Sequence, residues 1–187
     1  MPRRHRGGAV PRGGGEIGST LRIYLVRHAE AVDRVPGMPD AARYLSARGR
    51  VTFRELSGRF RETGAVPARI LTSPFVRAVQ TAEILSESIR YDGEVVVAPQ
   101  LSPGFDVEGL ISLLEICPGE QEIALVGHEP DMGGALTRLL SLPRGFTMRK
   151  GSIAALDLPD AGNRLRAGFA WLLSGDRRIE DPSLLVP

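Results

Sequence analysis

Four short apolar runs punctuate the chain: Ile23–Val26, Ile70–Leu71 within Arg69–Thr72, Val95–Ala98 and Ile123–Val126. Runs of this length read as strands buried on both faces, the signature of a parallel sheet. Between them, apolar residues recur at helical spacing. Ser46 is placed to cap a helix running to about Thr63, with Gly64 as its stop and Phe53, Leu56 and Phe60 on one face. Ser73-Pro74 offers an N-cap and a first-turn proline to a helix reaching about Ile89, with Ala78, Ala82, Leu85 and Ile89 inward. Asp106 starts a third helix with Val107, Leu110, Ile111 and Leu114 inward, and Pro130 opens a fourth that reaches about Leu142. Two later strands, about Ser152–Leu158 and Arg164–Leu173, flank a hairpin turn at Pro159–Asn163. The order β-α-β-α-β-α-β-α-β-β predicts an α/β fold in three layers. It has a mostly parallel central sheet, helices on both faces and an antiparallel element near the C-terminus.

Composition changes this picture only at the beginning of the chain. Residues 1–19 are rich in Gly and Arg and almost without large apolar side chains, which predicts a disordered tail before a single domain at 20–187. The net charge of +2 and the pI near 9.1 owe much to Arg3, Arg4, Arg6 and Arg12, so no nucleic-acid partner is expected. Cys117 is the sole cysteine and sits in an apolar helical pattern, which leaves no disulfide framework or paired-cysteine zinc site. No run of 18 apolar residues suggests a membrane span, and the charged N-terminus lacks the apolar stretch of a signal peptide. A cytoplasmic location is the resulting expectation.

The chemistry gathers at strand ends. The first predicted strand runs into Arg27-His28, the second into Ser73-Pro74 and then Arg77, and the fourth into Gly127-His128. Open α/β sheets bind ligands beyond the carboxyl ends of their strands. Two arginines and two histidines at one such edge suit a phosphoryl group, because guanidinium forks neutralise its oxygens and an imidazole can attack phosphorus. The helix N-terminus after Pro130 adds unpaired N–H groups, and Gly127 would let the backbone approach a ligand. The chain has no phosphate-cradling G-x-x-x-x-G-K-[ST] loop, no G-x-G-x-x-G, no carboxylate cluster for Mg²⁺ and no histidine triad for zinc. Metal-free covalent phosphoryl transfer without a cofactor is therefore the expectation.

Three stretches carry a resemblance. Arg27-His28-Ala29, Ser73-Pro74-Phe75-Val76-Arg77-Ala78-Val79-Gln80-Thr81-Ala82 and Val126-Gly127-His128-Glu129-Pro130 together resemble the histidine phosphatase superfamily, whose fold is phosphoglycerate mutase-like. Leu45–Gly49 and Lys150–Ala154 are similar to segments of its short bacterial SixA-type branch of phosphohistidine phosphatases. The likeness runs from about Leu21 to Ser174. It departs at Ala29, where the family has glycine. The resemblance implies His28 as the phosphorylated nucleophile, Arg27 and Arg77 on the phosphoryl oxygens, His128 stabilising the group in transfer, and Arg43 reaching the pocket. Larger relatives carry an acidic proton donor in an insertion, for which strand, helix and strand leave no room between Arg77 and His128. Glu129 stands in the place of an adjacent aspartate of the acid-phosphatase branch. It could serve as the acid or merely cap the helix after Pro130, and Glu30 and Asp33 are further candidates.

The expected function is removal of phosphate from phosphohistidine on a protein. An imidazole leaving group asks little of an acid, and a site without a lid admits a protein surface. Two alternatives stand beside it: a broad phosphomonoesterase on small phosphate esters, and a non-catalytic phosphoprotein-binding module.

Overall fold

A computed structural model describes residues 20–159 and 166–185. The expected tail at 1–19 and the turn residues 160–163 lie outside them. The elements are β1 (Thr20–Arg27), α1 (Ala47–Glu62), β2 (Arg69–Thr72), α2 (Val76–Ile89), β3 (Val95–Val97), α3 (Val107–Glu115), β4 (Glu122–Gly127), α4 (Asp131–Leu139), β5 (Ile153–Pro159), β6 (Gly168–Ser174) and β7 (Arg177–Ile179). They form one seven-stranded sheet in the order β3-β2-β4-β1-β5-β6-β7. The first four strands in that order are parallel, and β5, β6 and β7 are added antiparallel.

The alternation along β1 builds both faces of the sheet. Ile23 and Leu25 point into a core with Leu110, Leu114, Leu136 and Leu139 of α3 and α4. Tyr24 and Val26 point the other way, into a core with Phe53 and Phe60 of α1 and Ala78, Ala82 and Leu85 of α2. Tyr24 meets Phe60 edge-on with ring centroids 4.9 Å apart, and Trp171 of β6 lies 5.9 Å from each. Such contacts add about 0.5–1.5 kcal/mol per pair beyond burial and fasten α1 to the sheet. Cys117 lies in the first of these cores, just past α3. No helix among the described residues is long and apolar enough to cross a membrane.

Four local readings need correction. First, α2 begins at Val76 with Phe75 as its N-cap; Ser73 lies ahead of the helix, its Oγ accepting from Phe75 N–H at 3.3 Å and meeting His128 Nε2 at 2.7 Å. Second, α4 ends at Leu139, three residues before the expected end, and Ser141 just beyond takes a positive φ of 51°. Third, α3 buries Leu113 as well as Leu110 and Leu114, while Ile111 is only partly covered. Fourth, the antiparallel part holds a third strand, β7, joined to β6 through Gly175 at φ 59°. Only Ile179 of β7 is buried, so the strand carries no apolar run to announce it.

The register sets up the site. Arg27 pairs with Gly127, and Thr72 pairs with Val126, so β1, β2 and β4 run out side by side. Past the pairing, His28 N–H donates to the Gly127 carbonyl and Ser73 N–H to the Val126 carbonyl. Three adjacent strands thus deliver His28, Ser73 and His128 to one edge of the sheet.

Candidate active site

His28 is only 9% exposed, and both ring nitrogens have partners. Nδ1 lies 2.7 Å from the Ala29 carbonyl oxygen. A carbonyl only accepts, so Nδ1 carries the proton and Nε2 the lone pair. Arg77 agrees from the other side, its Nε–H donating to His28 Nε2 across 3.1 Å. Burial, with the cations Arg77, Arg27 and Lys150, pulls the His28 pKa down to about 4, despite the opposing Ala29 hydrogen bond. The ring is therefore neutral at pH 7, with its lone-pair nitrogen turned toward Arg77.

Ala29, in the position the resemblance gives to glycine, has no positive φ. Its N–H donates to Thr81 Oγ1 at 3.1 Å, and the Thr81 hydroxyl donates to the Arg77 carbonyl at 2.7 Å. One threonine thus ties the turn after β1 to the first turn of α2, fixing His28 relative to Arg77.

His128 is 1% exposed, and its ring centroid lies 5.2 Å from that of His28. Its Nε2 is 2.7 Å from Ser73 Oγ, while its Nδ1 is buried without a hydrogen-bond partner among the described residues. Phe75 packs edge-on against the ring at 5.0 Å. Burial first, then the neighbouring His28 ring and the guanidinium groups of Arg77 and Arg27, against the opposing pull of Asp40, lower the His128 pKa to about 3, so this ring too is neutral.

Arg27 donates from Nη1 to the Met148 carbonyl, and its Nε is buried without a partner among the described residues. Gly151, at φ 75°, returns its N–H to the carbonyls of Arg27 and His28, so the segment before β5 forms a wall of the site. Burial lowers the pKa values of Arg27 and Arg77, and both remain cations.

Arg43 reaches the same edge. Its Nη1 donates to Asp40 Oδ1 at 2.9 Å and its Nε to the Val32 carbonyl at 3.0 Å. Asp40 is a site residue that sequence reasoning missed. Its Oδ2 accepts from Arg77 Nη2 at 2.9 Å, and its backbone carbonyl accepts from Arg77 Nη1 at 2.7 Å. Ser73, read only as a cap, is another. The rule that strand ends carry chemistry could have found Ser73, but no local signal marks Asp40 within its loop.

Glu129 sits differently from the two histidines. Its carboxylate lies against Gly133 in the first turn of α4 and is influenced by Arg27 and the backbone of Met148. Burial raises its pKa, and Oε2 has no partner among the described residues. It lines a cleft with Pro130, Thr137, Arg138, Leu142 and Phe146 that includes neither His28 nor His128. Glu30 accepts through its backbone from Ser46 and sends its side chain toward Arg48, and Asp33 is exposed. At Gly127 a Cβ would lie 2.4 Å from Met132 Cε, the far end of a flexible side chain that would have to shift aside.

Four groups that can handle a phosphoryl transfer therefore converge: a neutral imidazole whose Nε2 lone pair faces Arg77, a second neutral imidazole, and two partly desolvated guanidinium groups. The arrangement can hold a tetrahedral oxyanion and attack it from one side.

Comparison with known proteins follows the same outline. The profile of the histidine phosphatase superfamily (branch 1) matches residues 23–102. An uncharacterised protein of a Picosynechococcus strain is 32% identical over 120 residues, covering 60% of this chain and 69% of that one. Phosphohistidine phosphatase SixA of Escherichia coli K12 is 26% identical over 158 residues, covering 82% and 94%. The solved structure of the protein histidine phosphatase SixA complexed with tungstate superposes with a TM-score of 0.74 at 23% identity, covering 83% of this chain and 97% of that one.

Proposed function

Because the chain belongs to the histidine phosphatase superfamily, we propose that it is a metal-independent phosphatase working through phospho-His28, with phosphohistidine on a protein as its substrate. The observation that carries the reading is the polarity of the His28 ring. Nδ1–H is spent on the Ala29 carbonyl, and the lone pair on Nε2 faces Arg77. That tautomer is the one a nucleophile needs, and the fold holds it before any substrate arrives.

Arg27 and Arg77 hold the phosphoryl oxygens, and His128 hydrogen-bonds the group as it moves. His28 Nε2 forms a bond to phosphorus while the bond to the departing ring nitrogen breaks, and the electron pair stays on that nitrogen. A phosphohistidine ring protonated on its other nitrogen leaves as neutral imidazole. The protonated ring has a pKa of about 6.5, so a dedicated acid adds little. Water then attacks phospho-His28, releasing inorganic phosphate and restoring the ring. The likeness to E. coli SixA over most of both chains supports the substrate class.

The test is a comparison of hydrolysis rates at neutral pH between a phosphohistidine protein and small alkyl phosphate esters, with ³²P trapped on the enzyme in a single turnover. The expected result is preference for phosphohistidine with acid-labile label on His28. Labelling with preference for alkyl esters would replace the substrate, and binding without labelling would make the protein a phosphoprotein-binding module.

A further inference from the structure

The guanidinium of Arg77 is already engaged before substrate arrives. Its Nε and Nη2 lie on one edge, the edge that forks onto oxyanions. In this structure Nε meets His28 Nε2, and Nη2 meets Asp40 Oδ2 at 2.9 Å. A carboxylate oxygen therefore stands beside the nucleophilic nitrogen, where the proposed function requires a phosphoryl oxygen.

The same carboxylate gathers two more guanidinium groups. Asp40 Oδ1 accepts from Arg43 Nη1 at 2.9 Å and from Arg34 Nε at 3.1 Å. Exposure orders these groups from outside to inside. The Arg34 side chain is 79% exposed, Asp40 34% and Arg77 6%, so Asp40 is the solvent-accessible member of its pair with Arg77. Hydrogen bonds from Arg43 and then Arg77 hold the Asp40 carboxyl at a pKa of about 2, so it is ionised at neutral pH. An ionised carboxylate and a phosphoryl dianion repel one another and cannot share one donor edge. The loop that carries Asp40 is closed at its base by the Ala31–Leu45 bridge and the Val32 N–H to Tyr44 carbonyl bond. Its upper part contains Pro36, Gly37 at φ 85° and Pro39.

We propose that Asp40 is a built-in counterion that occupies the phosphoryl-binding edge of Arg77 in the free enzyme and must be exchanged for substrate. It offsets the cost of a buried, unpaired guanidinium, and it returns to Arg77 as phosphate departs. The exchange favours ligands that carry more charge than a carboxylate, such as a phosphoryl dianion. The proposal rests on the phosphatase reading above and names Asp40 as a determinant of anion selectivity and product release.

The experiment measures inhibition by inorganic phosphate and by acetate, together with kcat, in the wild-type protein, Asp40→Asn and Asp40→Ala. With the competitor gone, phosphate should bind roughly tenfold tighter, the scale of one charge-assisted hydrogen bond. Acetate should change from a negligible to a measurable inhibitor, and kcat should fall as phosphate release slows. Both variants should move in the same direction, because both remove the charge. Weaker phosphate binding in both would mean that Asp40 orients Arg77 instead of competing for it, and unchanged binding would remove Asp40 from the exchange; either result overturns the proposal. If the wild-type protein itself neither binds phosphate nor forms a phosphoenzyme, the phosphatase reading fails first. If it does both and the variants bind phosphate no more tightly, only the role of Asp40 fails.

Discussion

Arg77 Nε lies 3.1 Å from His28 Nε2, on the opposite side of the imidazole from the Ala29 carbonyl that receives its Nδ1–H. Two independent partners thus assign the same tautomer, and neither belongs to a ligand. His28→Ala should abolish turnover and phosphoenzyme formation. The fold should survive, since the backbone bond from residue 28 to Gly127 needs no side chain. Residual activity above a few per cent of wild type, measured with the variant shown folded by circular dichroism, would move the nucleophile elsewhere.

The same burial that keeps both histidines neutral makes stability depend on pH. Their folded pKa values are about 4 for His28 and about 3 for His128, against about 6.5 in the unfolded chain. Between those values the unfolded chain binds protons that the folded one refuses, so stability is highest above pH 6.5 and falls as pH drops toward 4. Each unit of difference corresponds to roughly 1.4 kcal/mol, so each histidine should account for a few kcal/mol of the loss. The urea midpoint should decline across that window, and His128→Gln should flatten the decline. A flat midpoint from pH 7 to 4.5 would contradict the assignment. For the same reason the acid limb of kcat/KM should lie nearer pH 4 than 6.5, because it reports the free enzyme.

The legibility of this chain followed its local signals. Strand β2 was placed by its apolar pair, and α1 by Ser46, whose hydroxyl accepts from Gly49 N–H, and by Gly64 at φ 78°. His28 and His128 were marked by apolar runs that stop at charged or ring-bearing residues. Asp40 was illegible because its role depends on how a proline-rich loop folds back over α2, and no periodicity encodes that. Ser73 looked like a cap because serine before proline usually is one; its Oγ does accept a local N–H, from Phe75, but the helix starts later and the same hydroxyl also meets His128, which no local pattern encodes. The contact of Gly127 with the end of the Met132 side chain depends on how α4 packs on β4, which the sequence order alone does not show.

Thr81 offers a test of how rigidly the site is built. Its Oγ1 accepts from Ala29 N–H and its hydroxyl donates to the Arg77 carbonyl, all within the core. Thr81→Val keeps the shape but leaves the buried Ala29 N–H without that acceptor. Such a loss costs about 1–3 kcal/mol, so the melting temperature should fall by several degrees. Thr81→Ser, which keeps the hydroxyl, should restore most of the activity lost in the valine variant. Equal activity in valine and serine variants would show that the link does not position His28 against Arg77.

The position of Glu129 decides what its removal should do to different leaving groups. A general acid must reach the departing atom, and acid catalysis then contributes about 10²–10⁴-fold, most for the most basic leaving group. Glu129 instead faces Gly133, Arg27 and Met148, in a cleft lined by neither His28 nor His128. Its raised pKa comes from burial and follows from that packing as readily as from a proton-donating role. Glu129→Gln keeps the size of the side chain and removes only its charge and titrating proton. The expected result is a similar and modest loss in kcat/KM on a phosphohistidine protein, an aryl phosphate and an alkyl phosphate, caused by a shifted Arg27. Measuring kcat/KM on all three compares transition-state stabilisation from the same free enzyme. A loss that grows with the basicity of the leaving group, small on phosphohistidine and large on the alkyl ester, would show that Glu129 turns toward the substrate and donates its proton there.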